Sequence, residues 1–124
     1  MVLALVDDLM FRSKIKSTAT PLGISVTFSG LSDAALTAMR AAQPSLVIFD
    51  LNNPRTDPLG TIAAMKQDAA LASIPTIGYV SHVDVATIDA ARAAGVGDVL
   101  ARSAFATQLA ELLSTAETTT RPQP

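Results

Sequence analysis

Leu46-Val47-Ile48-Phe49-Asp50-Leu51-Asn52-Asn53-Pro54 is the stretch on which the fold turns. Four consecutive apolar residues rich in β-branched and aromatic side chains read as a strand buried on both faces, and such strands belong to parallel sheets. The run ends abruptly at an acid. Val2-Leu3-Ala4-Leu5-Val6 repeats the pattern at the start of the chain and ends at Asp7-Asp8.

Working outward, helical patterns alternate with short apolar runs. Leu9 to Thr20 places Phe11, Ile15 and Thr18 at helical spacing and is closed by Pro21 and Gly23. Ser25–Phe28 reads as a weaker strand, with a turn at Ser29-Gly30. Ser32 is a candidate cap for a helix through Ala35 and Met39, which Pro44 stops. Beyond the central strand, a loop with two prolines (Pro54 and Pro58) leads into a helix from about Leu59 to Asp68. Thr76–Val80 is the fourth strand, and Val85, Ile88 and Ala91 mark a helix that Gly95 closes. Val99-Leu100 is the fifth strand, and Phe105, Leu109, Leu112 and Leu113 stripe the last helix. Five β–α units in succession imply an α/β fold in three layers, a doubly wound parallel sheet with helices on both faces. Residues 1–116 are expected to form one domain and 117–124, with three Thr and two Pro, a frayed tail.

Composition narrows the function classes. The chain has 124 residues, 49% of them hydrophobic and 16% charged, as expected of one ordered domain with one core. A net charge of −2 without any block of like charge argues against a nucleic-acid partner. With no Cys, disulfides, thiolate metal sites and cysteine nucleophiles are excluded, and the single His82 excludes a multi-histidine zinc site within the chain. No apolar run approaches the roughly 20 residues that cross a bilayer, and the N-terminus lacks the form of a secretory signal. A cytoplasmic location is the expectation. Nine of the eleven acids are Asp, and only Lys14, Lys16 and Lys66 supply lysine.

In open α/β sheets, ligands bind beyond the carboxyl ends of the strands, at the switch in strand order. If the order is 2-1-3-4-5, strands one and three are neighbours, and Asp7, Asp8 and Asp50 are brought together. Two carboxylates about 4 Å apart repel by roughly 4 kcal/mol at an effective dielectric of 20. A proton or a divalent cation must relieve that repulsion, and Mg²⁺ suits a few-carboxylate oxygen site. Asp8 has a plainer reading as the cap of the first helix.

Val2 to Asp8 together with Leu46 to Pro54 resembles the receiver domain of bacterial two-component response regulators, and the likeness runs through Ala94-Gly95 to the helix after Phe105. The resemblance implies the flavodoxin-like order 2-1-3-4-5. It implies that Asp50 is the phosphoacceptor for a phosphoryl group from a histidine kinase or phosphotransfer protein. It implies that Asp7, Asp8, Asp50 and the backbone carbonyl of Asn52 hold Mg²⁺, with Mn²⁺ as a substitute. Asp57 matches the Asp of the family's Asp-Gly pair, with Pro58 in place of Gly.

The other half of the motif departs from the family. A gap-free count from Asp50 aligns Pro75 and Gly95 and puts Val80 where the family has Ser or Thr. Ser81 is one residue late and is expected to face the opposite way in a regular strand, unless a bulge turns it inward. Arg102 stands in the place of the phosphoryl-contacting Lys, and a planar fork is no equivalent of a compact point charge. Ser103 replaces the family's Pro, so a cis bond has lost its main reason, and Val99 replaces the switch aromatic. His82, just past the fourth strand, reads as a surface residue with a minority role as a cover for Asp50.

Two functions follow from different classes. One is a stand-alone receiver of a phosphorelay, not an enzyme, that signals by contact with a downstream protein and leaves a homodimer open. The other is a degenerate pseudo-receiver that binds a partner independently of phosphorylation. A small flavodoxin-like or phosphatase-type enzyme is a weaker third, because the chain has no phosphate-cradling loop and no second catalytic group.

Overall fold

Alternate residues of the strands divide between two cores, and that division builds the molecule. The computed structural model describes residues 1–81 and 84–120, with side chains as far as Ala116. Its strands are β1 (Val2–Leu5), β2 (Val26–Ser29), β3 (Leu46–Asp50), β4 (Thr76–Val80) and β5 (Asp98–Ala101). Helices α1 (Leu9–Ala19), α2 (Ser32–Ala42), α3 (Pro58–Gln67), α4 (Val85–Ala94) and α5 (Arg102–Thr120) alternate with them. All neighbouring strands pair in parallel, in the order β2-β1-β3-β4-β5.

Val2, Ala4 and Val6, with Leu46, Ile48, Ile77 and Tyr79, face a core closed by Phe11 and Ile15 of α1 and Phe105, Leu109 and Leu113 of α5. Leu3, Leu5, Val47, Phe49, Leu51 and Val80 face the other core, closed by Met39 of α2, Ile62 and Met65 of α3 and Ala91 of α4. This is the three-layer architecture expected from the sequence. The central strands are buried along their apolar length, whereas β2 and β5, at the sheet edges, are partly exposed. That difference explains why their sequence signals are the weakest of the five.

Local caps agree in most places. Gly95 ends α4 at φ 110°, a left-handed conformation natural to glycine. Ser32 is a correction: Leu31 occupies the cap position without a side-chain bond, and the Ser32 hydroxyl instead meets the Thr61 hydroxyl at 2.5 Å. A partner 29 positions away outcompetes the local cap. α5 is described to Thr120, four residues past the expected boundary at 116, and 121–124 lie outside the described residues.

Gly78 matters for the segment that follows Asp50. A Cβ there would lie 2.6 Å from Leu51 Cδ1 and 2.8 Å from its Cγ, and Leu51 is itself buried. Gly78→Ala is therefore expected to destabilise by about 1–3 kcal/mol, as overpacking does. An unchanged urea midpoint would show that Leu51 has room to move aside.

Candidate functional site

The carboxyl ends of β1 and β3 lie side by side, with Leu5 opposite Phe49, so Asp7-Asp8 and Asp50 leave the sheet at one edge of the molecule. Asp50 belongs to the strand, opposite Tyr79 of β4. Its carboxylate is half-buried and accepts from the Asn52 backbone N–H at 3.1 Å, which folds the chain back over it. Burial raises its pKa above the usual carboxylate value. The Asn52 bond and the charge of Arg102 oppose that rise, while the charges of Asp7 and Asp8 add to it.

Asp8 does cap α1, accepting from the backbone N–H of Met10 at 2.9 Å and of Phe11 at 3.2 Å. Its other oxygen receives Arg102 Nη2 at 3.4 Å. Arg102 is the first residue of α5, and its guanidinium sits 4.7 Å above the Phe11 ring. Ring and carboxylate together fix its direction. Val99, at the place of the family's switch aromatic, is partly buried against the α2–α4 core, and no peptide bond is cis among the described residues.

Asp7 is engaged by the loop after β3. Asn53 Nδ2 donates to Asp7 Oδ1, and Arg55 Nη2 donates to Asp7 Oδ2 at 2.7 Å. The loop holds its own shape: Asn53 Oδ1 accepts from the Arg55 N–H, Pro54–Thr56 makes one 3-10 turn, and Asp57 caps α3 in a left-handed conformation at φ 46°. Asn52 reaches the opposite way, its Oδ1 accepting from the Ser81 backbone N–H at 2.5 Å. Arg12 secures the end of the first strand by donating Nε–H to the Val6 carbonyl at 2.5 Å.

Asp7, Asp8 and Asp50 leave the sheet at one edge, but among the described residues no group of three or more carboxylate or histidine side chains is placed to hold a metal ion. The cause is visible, since Asp7 is drawn to Asn53 and Arg55 while Asp8 serves α1 and Arg102. Val80 is buried against the α2–α4 core and also lines, with Ser81, Phe11, Ala101, Arg102, Ser103 and Ala106, a depression of about 500 Å³. Ser81 follows the end of β4 and is exposed. His82 lies outside the described residues.

In kind, the donor set still fits a hard cation: carboxylate oxygens of Asp7, Asp8 and Asp50 at adjoining strand ends, with the Asn52 carbonyl in the loop between them. The charges of Asp7 and Asp8 add to the burial that raises the pKa of Asp50, so the three carboxylates act on one another. Asn53 and Arg55 are the functional-site residues that sequence reasoning missed. Their one signal was the polar run between Asp50 and Pro58.

No protein-family model matches the chain, and no curated protein matches it. Solved structures do. A response regulator from Hahella chejuensis superposes with a TM-score of 0.85 at 20% identity, covering 98% of each chain. The phosphorylated cyanobacterial phytochrome response regulator RcpA gives 0.79 at 21% identity, covering 99% of this chain and 96% of its own. The receiver domain of a sensor histidine kinase from Pseudomonas aeruginosa, with a magnesium ion coordinated in its active-site cleft, gives 0.79 at 18% identity over 92% and 93%. No described helix is long and apolar enough to cross a membrane. Identities this low speak for architecture: the chain has the fold of a response-regulator receiver domain.

Proposed function

We propose that this chain is a cytoplasmic receiver of a two-component phosphorelay that accepts a phosphoryl group on Asp50 and signals through protein contacts. The observation that carries the reading is Asp50 itself, a half-buried carboxylate of raised pKa at the carboxyl end of the central strand, flanked by Asp7 and Asp8. Asp7, Asp8, Asp50 and the Asn52 carbonyl would hold Mg²⁺ or Mn²⁺, and such an ion supplies charge neutralisation when bound. The rest falls to the chain. An Asp50 oxygen attacks phosphorus, the new O–P bond forms as the P–N bond of a phosphohistidine breaks, and the imidazole departs with a proton. Such a transfer asks chiefly for positioning and countercharge. The Asn52 N–H orients the carboxylate, and Arg102, held over Phe11, supplies fixed positive charge near it. Ser81 lines a depression together with Arg102 and is the hydroxyl offered to a phosphoryl oxygen.

A second reading has its own support. Asp7 and Asp8 are each paired with an arginine, which is how a pseudo-receiver that binds partners without phosphorylation would settle its acidic cluster. Incubation with acetyl phosphate and Mg²⁺, followed by intact mass, separates the two. The expected result is a gain of one phosphoryl group that Asp50→Asn abolishes. No gain, under conditions that label an ordinary receiver, would leave the pseudo-receiver standing.

A further inference from the structure

We infer that Asn53 and Arg55 form a clamp on Asp7 that competes with a divalent cation, so that Arg55 sets the cation affinity of the pocket. The inference rests on reading the acidic cluster as a cation site, and it concerns which of this chain's residues oppose that cation.

Both oxygens of Asp7 are taken from the same short loop, one by the Asn53 amide and the other by the Arg55 guanidinium. A carboxylate that accepts a hydrogen bond on each oxygen, one of them from a guanidinium, has fewer lone pairs and less net charge to offer a metal. The clamp is nevertheless a weak one. The Arg55 side chain is 79% exposed and that of Asp7 is 20% exposed, so the pair lies open to water and its strength is that of a surface ion pair. An ion carrying two charges, ligated by three carboxylates, can displace it. Arg102 is differently placed, since it shares Asp8 with the N-terminus of α1 and rests on Phe11. Arg55 is therefore the displaceable countercharge and Arg102 the fixed one. The loop that would be released also reaches Ser81 through Asn52, so the clamp connects the ends of β1 and β4.

Mn²⁺ binding, followed by the electron paramagnetic resonance of the free ion, tests this on the full chain. Arg55→Gln is expected to tighten Mn²⁺ binding about fivefold, the factor that a surface pair of this strength withholds. Arg92→Gln removes the same charge from the exposed face of α4 and should leave affinity unchanged, while Asp7→Asn should weaken it. Saturable binding in Arg55→Gln but not in the unaltered chain would support the clamp in its strongest form. Equal affinities with and without Arg55, or equal tightening by Arg92→Gln, would overturn the clamp and leave the cation site standing. Absence of saturable binding in every form would overturn the cation site and the clamp together.

Discussion

Phe11→Ala is expected to destabilise the chain by about 3–5 kcal/mol, the usual cost of emptying a buried aromatic site. Against a typical total of roughly 5–15 kcal/mol, that leaves the variant close to unfolding at ordinary temperature. Phe11 is 5% exposed and packs with Tyr79 at 4.6 Å and Phe105 at 5.7 Å between ring centroids, while those two rings stack at 4.9 Å. The three rings join α1, β4 and α5, so one truncation loosens two helices from the central sheet. It also removes the surface on which the Arg102 guanidinium rests. Phe11→Leu keeps most of the volume and should cost about 1–1.5 kcal/mol. Urea midpoints at constant slope measure both. A loss below about 1 kcal/mol for the alanine variant would show that the trio does not act as one packed unit.

What could be read from the sequence was local. Leu46–Asp50 and Val2–Val6 declare buried strands through unbroken apolar runs, and each ends where its carboxylates must leave the sheet. The neighbouring ends of β1 and β3 follow from strand order, so the meeting of Asp7, Asp8 and Asp50 at one edge was legible. Their mutual arrangement was not. Asn53 and Arg55 reach Asp7 across 46 and 48 positions, and nothing in the spacing of a loop announces such a contact. The same limit explains Ser32, whose cap pattern is local and whose actual partner, Thr61, is distant. Ser81 stands where the ladder has already ended, with Val80 opposite Ala101, so alternation along the strand no longer dictates the face that its side chain takes.

Tyr79 should make the chain unstable in alkali, and the signal is unusually clean because it is the only tyrosine. Its ring is 1% exposed, and its hydroxyl has no hydrogen-bond partner among the described residues. Burial, helped by the negative charge of Asp50, raises the phenol's pKa far above the ordinary value near 10. Below about pH 10 the phenol is neutral in both folded and unfolded chains, so its contribution to stability is complete. Above that, the unfolded chain releases a proton that the folded chain keeps, and stability falls by about 1.4 kcal/mol per pH unit. By pH 12 the loss is about 2.7 kcal/mol. Phenolate absorbance at 295 nm should therefore rise in one step together with the loss of far-ultraviolet circular dichroism. A simple titration centred near 10 with secondary structure intact would contradict the burial. Tyr79→Phe isolates the effect from lysine titration, because only the tyrosine-dependent part of the alkaline slope should vanish. At neutral pH the same change removes an unpartnered buried hydroxyl and is expected to stabilise by about 1–2 kcal/mol. The position lies opposite Asp50 on the sheet, so a tyrosine that costs stability there places a polar atom on Asp50's side of the molecule, beside Phe11 and Phe105.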